Sequence, residues 1–209
     1  TGAEVSTFIS NRKGLTFSSL IQKSLFTTFD EIWRPEKGDL PKVRTSATKY
    51  LNVTDTRIAN AYISSYYKPS KNMFGRISAG YLEEMYSGIT SELLYHPGNR
   101  DLSFGLELNY VIPREFKQLF GKRDVYGLSK INGHFSSYWD TNYYNYYAQL
   151  DLGRYLAGDN GGTLTITRNF PTGWQAGMFA TITDASQELF GEGSFDKGFF
   201  LQIPFNPFV

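Results

Sequence analysis

The sequence predicts an all-β protein, an up-and-down antiparallel transmembrane β-barrel of about 11–12 strands. Three observations predict it. Apolar residues recur with a period of two in one segment after another, many segments approach the ~9–11 residues that cross a bilayer when tilted, and short and longer connections alternate along the chain.

Taken in order, the first segment, residues 2–10, carries Val5, Thr7 and Ile9 on one face. Over residues 15–29 the odd positions Leu15, Phe17, Ile21, Leu25 and Phe29 are apolar, interrupted by Lys23. The pattern weakens over 53–66, where Asp55 and Arg57 share a face with Ala59 and Ile63. Segments 73–81 and 88–96 follow. The clearest strand is 102–112, with Leu102, Phe104, Leu106, Leu108, Tyr110 and Ile112 set against Ser103, Gly105, Glu107 and Asn109. Segment 125–139 is next, and then 143–152 repeats the pattern with Tyr144, Tyr146, Ala148, Leu150 and Leu152. After 163–169, segment 173–183 sets Trp174, Ala176, Met178, Ala180 and Ile182 against Gln175, Gly177, Thr181 and Thr183. Segment 199–205 completes about eleven strands, where soluble strands have a mode near ~5–6 residues. Pro204 suits a strand end or bulge, because it offers no ladder donor. Helical spacing is nowhere sustained, and only residues 113–122 (PREFKQLFGK) predict a helical turn.

The connections read NRKG (short), 30–52 (long), KPSKN (short), LEEMYS (intermediate), PGNRD (short), 113–124 (long), DTN (short), GRYLAGDNGG (long), NFPTG (short) and 184–198 (long). In a meander, alternate connections lie at opposite ends, so the short turns gather at one end, as in outer-membrane barrels. A β-sandwich or lipocalin-like barrel also alternates. Strand length, strand number and the doublets Tyr66-Tyr67, Tyr143-Tyr144, Tyr146-Tyr147 and Phe199-Phe200, which suit interfacial girdles, favour the membrane. Lipid tolerates no open sheet edge and bacterial barrels hold even strand numbers. Eleven strands are therefore one short, or part of a larger barrel. Residues 1–209 are read as one barrel domain, expected to be a fragment or processed form of a longer chain, since TGAEVSTFIS carries no signal peptide.

Composition narrows the chemistry. The 209 residues have a net charge of +1, 17% aromatics and no cysteine. Without a basic stripe, nucleic-acid binding is not expected, and thiolate metal sites are excluded. GRYLAGDNGG lacks the lysine and spacing of a phosphate loop and has one acidic residue where calcium loops carry several, so no cofactor or metal is expected. Gly158, Gly161 and Gly162 are read as turn glycines. Of the two histidines, His96 sits before Pro97 at a turn. His134 and Ser136 share a strand face, a pair an outer-membrane hydrolase could use with an acid from a neighbouring strand. An ordinary hydrogen-bonded histidine is the simpler reading, and no catalytic residue is assigned. Glu83 and Glu84 are adjacent and face opposite ways.

The motifs GYLEEMYSG (80–88), GRYLAGDNGG (153–162) and FGEGSFDKG (190–198) fall at the long-connection end. With SELLYHP, LELNYV, NGHFSSYWD and LQIPF between them, they resemble the C-terminal part of the YjbH/GfcD family, outer-membrane proteins encoded with exopolysaccharide and group 4 capsule biosynthesis genes. The resemblance runs in order from about Gly75 to Phe205. It implies one barrel portion of a longer outer-membrane lipoprotein that assists exopolysaccharide or capsule biosynthesis or export, with outer-membrane lipids, polysaccharide and export-machinery proteins as partners. The alternatives are a generic porin or adhesin-like barrel, or the hydrolase built on His134 and Ser136. Candidates for a loop constriction in the mouth are Glu83, Arg154, Asp159, Glu192, Phe195, Asp196 and Lys197. Phe195 is expected to pack inward, and Glu192, Asp196 or Lys197 to pair with Arg154 or Asp159. Phe104, Leu106, Leu108, Ala176, Met178 and Ala180 are expected to face lipid.

Overall fold

The computed structural model describes residues 2–25, 43, 49–50, 56–125, 128–186 and 195–204. Eleven strands form one antiparallel sheet in simple chain order. They are β1 (Gly2–Ser10), β2 (Leu15–Ser24), β3 (Thr56–Ser70), β4 (Met73–Tyr81), β5 (Tyr86–Tyr95), β6 (Leu102–Pro113), β7 (Ile131–Asp140), β8 (Tyr146–Arg154), β9 (Asn160–Asn169), β10 (Gln175–Thr183) and β11 (Asp196–Gln202). Each overlaps a segment expected from the alternation. No helix among the described residues is long and apolar enough to cross a membrane, which says nothing of strands.

Three expectations are corrected. The β8–β9 connection is residues 155–159, not the whole of GRYLAGDNGG, because pairing continues to Arg154 opposite Asn160 and Gly153 opposite Gly161. This link and the β4–β5 link at 82–85 fall within the range of the turns at the other end, so the strict length alternation fails at both; the connections at 25–55, 114–130 and 184–195 remain long. Residues 113–122 form no helix. Arg114 and Lys122 close an isolated β-bridge, and Gln118 adopts a φ of 51°. So short a helix has little stability of its own, whereas in the looped form Gly121 N–H donates to Glu115 Oε1 at 3.0 Å and the Gly121 carbonyl accepts from Glu115 N–H at 3.1 Å. Finally, the weak alternation over 53–66 marks a β-bulge. The register passes from Leu20 opposite Asn60 to Ile21 opposite Ile58, leaving Ala59 as the extra residue. Past it Arg57 changes face and meets Gln22, whose Oε1 accepts from Arg57 Nε at 2.9 Å.

Strand alternation divides the sheet into two unlike faces. On β6, Phe104, Leu106 and Leu108 are exposed, while Ser103, Gly105, Glu107 and Asn109 between them are buried or half-buried. Directly opposed residues share a face, so the register carries this division across the sheet. Arg76, Glu92, Glu107 and His134 stand in one row over β4 to β7. Gly105, Ser136, Asp151, Thr163, Thr181 and Asp196 stand in the next, over β6 to β11. Arg76 of β4 and Asp196 of β11 line a single cavity. The polar face is therefore concave, and the apolar face is convex. Near the short connections the exposed aromatics Tyr67, Tyr95, Trp139, Tyr143, Tyr144 and Trp174 gather.

The buried apolar cluster is small and lies at the long-connection end, where Tyr50, Met85, Tyr86 and Val111 are packed by Leu82, Phe116, Leu128 and Leu156. The motif GYLEEMYSG begins and ends on Gly80 and Gly88, which stand opposite each other with φ of 136° and 155°. A Cβ on Gly88 would lie 2.0 Å from the Tyr110 carbonyl oxygen, and one on Gly80 2.5 Å from that of Ala61. Gly88→Ala is expected to cost about 1–3 kcal/mol through backbone strain, read as a lowered midpoint in thermal unfolding followed by circular dichroism. Gly98→Ala, where a Cβ meets nothing within 4 Å, should leave the midpoint unchanged.

Candidate functional site

Two chambers occupy the concave face, one of about 870 Å³ toward the long connections and one of about 580 Å³ toward the short turns. Glu92 and Glu107 line both and so mark the waist between them. These two carboxylates are directly opposed in register, an arrangement that repels unless each is compensated. Arg76 pairs with Glu92 across β4 and β5. Asn109 Nδ2 donates to Glu107 and, at 3.1 Å, to Asn132 Oδ1. His134 stands opposite Glu107, its ring edge-on to Tyr155 at 4.7 Å between centroids.

Further along the face, Ser136 Oγ donates to Asp151 Oδ1 at 2.6 Å, and Gln149 Nε2 donates to both Asp151 oxygens at 2.9 Å. Hydroxyl pairs continue the net at Ser64–Ser78, 2.7 Å, and Thr163–Thr181, 2.8 Å. Such a face satisfies most of its own polar groups, but Asn132 Nδ2 and His134 Nε2 are buried without a partner among the described residues.

The mouth at the long-connection end is held by Arg114, which is 0% exposed. Its Nη1 donates to the Glu83 carbonyl at 2.7 Å and the Ala59 carbonyl at 3.4 Å; its Nη2 donates to those of Ile58 at 2.8 Å and Gln118 at 2.9 Å. The guanidinium lies over the Tyr81 ring, 4.5 Å from its centroid. In return Tyr50 Oη donates to the Arg114 carbonyl, and Gln118 Nε2 to the Tyr50 carbonyl, both at 2.6 Å. One side chain thereby joins β3, the β4–β5 link and the β6–β7 connection, and its own carbonyl brings in Tyr50. A planar fork with five donors suits several carbonyls at once, as a lysine would not. Burial lowers the Arg114 pKa from its ordinary value, and burial raises that of the Tyr50 phenol against the opposing pull of Arg123.

The residues expected to form a constriction divide by strand parity. Glu83, Asp159, Phe195 and Asp196 line the larger chamber together. Phe195 keeps 45% of its surface exposed, with the Lys197 ammonium 4.4 Å from its ring centroid. Arg154 and Lys197 stand on the opposite parity from Gly153 and Asp196, hence toward the convex face and rim. Arg154 Nε donates to the Gly158 carbonyl at 3.1 Å, and the ion pairs of the described residues do not join it to Asp196. Glu192 lies outside the described residues. For the hydrolase reading, Ser136 bonds Asp151 and not His134. His96 Nδ1 lies 2.6 Å from Ser103 Oγ at the short-turn end.

Sequence reasoning missed Arg114, Tyr50 and Asn132. Arg114 follows Pro113 in a segment mistaken for a helical turn, and Tyr50 lies in a connection with no readable period. Asn132 offered one available signal, its even-numbered place with His134 and Ser136 on the polar face of NGHFSSYWD.

A family model described as "Exopolysaccharide biosynthesis protein YbjH" matches residues 1–209. The chain belongs to this YjbH family. It is also similar to "Uncharacterized lipoprotein YjbH" of Escherichia coli (strain K12), with 34% identity over 175 residues, 83% of this chain and 25% of that relative. The chain thus spans about a quarter of the relative's length. No solved structure matches. The family read from GYLEEMYSG, GRYLAGDNGG and FGEGSFDKG is the one found, and the YjbH motifs supply the frame of the cavity: Gly80 and Gly88 bracket the link that carries Glu83, and Asp159 closes the β8–β9 turn.

If Arg114 holds the mouth together, Arg114→Lys leaves carbonyls without donors at roughly 1–3 kcal/mol for each that water cannot reach. Limited trypsin digestion should then cut after Lys117 and Lys122 several times faster than in the parent. Unchanged digestion would mean that the loops are held by other contacts.

Proposed function

We propose that this chain is the transmembrane barrel portion of an outer-membrane protein that assists exopolysaccharide or capsule biosynthesis and export. The observation that carries the reading is the inverted polarity of the sheet. Leu106, Leu108, Ile89, Phe135, Leu164 and Met178 are exposed on the convex face, while the concave face holds the hydrogen-bonded net. A contiguous apolar surface of this extent calls for a covering, and lipid is the covering that suits strands alternating apolar-out and polar-in. Family membership supports the link with exopolysaccharide.

Closure follows from the same physics. Among the described residues β1 and β11 are the outer strands of the sheet. In an antiparallel meander of eleven, these two run in the same direction, so direct closure would need a parallel pair. An odd number of additional strands restores antiparallel closure and the even total of bacterial barrels. The relative's greater length has room for them. The enclosed polar face would be a path or resting place for polymer, not a hydrolytic centre. A serine nucleophile is ordinarily activated by an imidazole, whereas Ser136 donates to the Asp151 carboxylate, a weak base that Gln149 further occupies.

Full-length protein extracted from outer membranes should migrate faster on gels unheated than boiled. Arginine at Leu106 or Met178 should cost ~2–4 kcal/mol and deplete the unheated form, whereas arginine at concave Thr165 should cost far less. Thr165 is the better comparator than Gly105 or Gly177, where a Cβ already meets the Tyr138 ring at 3.2 Å and the Phe200 ring at 2.4 Å. Equal depletion from both faces would count against a lipid-facing surface.

A further inference from the structure

We propose that the waist of the concave face is a binding subsite for an uncharged sugar unit of a glycan, and that it disfavours acidic ones. This rests on the barrel reading above and adds the site and the ligand class. The observation that points to a ligand is Asn132. It lines the larger chamber, is 8% exposed, and its Nδ2 has no hydrogen-bond partner among the described residues. Its Oδ1 is already engaged by Asn109, so turning the amide over would only exchange one unmet group for another. A buried amide donor without an acceptor carries its desolvation penalty uncompensated, and such groups in a folded protein call for an explanation.

Beside it the His134 Nε2 is likewise buried and unpartnered among the described residues. Glu107 supplies carboxylate acceptors from the adjacent strand. Donors and acceptors a few ångströms apart match the hydroxyls of a sugar ring, each of which both gives and takes a hydrogen bond. Tyr155 adds an aromatic wall: it lines the same chamber, stands against His134, and its hydroxyl is held 2.6 Å from Thr163 Oγ1.

Charge settles which sugars fit. The described lining of the larger chamber includes Glu83, Glu92, Glu107, Asp159 and Asp196 against one guanidinium, Arg76, and no lysine. Arg76 offsets its charge on Glu92 through Nη2, leaving its Nε as one more donor without a partner among the described residues. A walled cleft focuses its field, so uronate or sialate units would meet repulsion at the waist, whereas hydroxyl-bearing units would not.

The test uses full-length protein in lipid nanodiscs, titrated calorimetrically with a glucose hexamer and a galacturonate hexamer at low salt. The neutral hexamer should bind at least tenfold tighter, and Asn132→Ala should weaken it about tenfold in protein that still shows the unheated gel form. Should Asn132→Ala not assemble, Glu107→Gln, which keeps an acceptor for Asn109, carries the test by narrowing the gap between the two hexamers severalfold. Preference for the acidic hexamer, or equal binding of both, overturns the proposal, as does neutral binding indifferent to both substitutions. Absence of binding in a protein that passes the gel test sinks the subsite alone, whereas failure of the gel test sinks the barrel reading beneath it.

Discussion

Everything in this structure depends on the strict alternation of side chains across a pleated strand, kept in phase over ten successive strand pairings. Slipping one strand by a single residue would turn its polar set to the convex face and its apolar set inward. The register therefore decides more than which backbone groups pair. It stacks Arg76, Glu92, Glu107 and His134 in one row, and so fixes both the repulsion at the waist and the groups that relieve it. Where the phase must change, the chain uses an extra residue: the bulge at Ala59 brings Arg57 to Gln22 and within 3.9 Å of Glu84.

A sheet with this polarity has little conventional core. The buried apolar cluster is confined to the long-connection end, and it is there that Arg114 gathers carbonyls from three segments. The two features depend on each other. Packing by Tyr50 and Phe116 excludes water from the guanidinium, with their rings 5.0 Å apart and edge-on, and the guanidinium satisfies backbone oxygens that this packing buries. Carbonyl dipoles and the Tyr81 face offset the charge, and the carboxylates of Glu84 and Glu115 add a weaker attraction. The result is a braced rim above an open polar chamber, with the connections shaping the entrance and the strands shaping the interior.

The strands were legible in the sequence because one face is continuously apolar, and a period of two survives on β6, β8 and β10 without reference to any partner. At residues 53–66 the same reasoning blurred, since a bulge inverts parity part-way and no residue type announces it. The glycines of GRYLAGDNGG suggested a long loop, yet Gly161 and Gly162 serve close strand pairing: a Cβ on Gly161 would lie 2.2 Å from the Ile182 carbonyl oxygen. The mouth was the least legible part. Arg114 is identified by the carbonyls around it, which come from residues 58, 59, 83 and 118, and such convergence has no local signature. Of the charges named for a constriction, strand parity sends Arg154 and Asp196 to different faces.

The central claim is that the convex face lies in lipid and the concave face in water. The 209 residues contain no cysteine, so single cysteines placed in turn at positions 104 to 109 can each carry an environment-sensitive fluorophore in otherwise unlabelled sequence. With the full-length protein in vesicles containing chain-brominated lipid, the account predicts strong quenching at Phe104, Leu106 and Leu108 and little at Gly105, Glu107 and Asn109. Quenching that is absent throughout, or equal at all six positions, would contradict it.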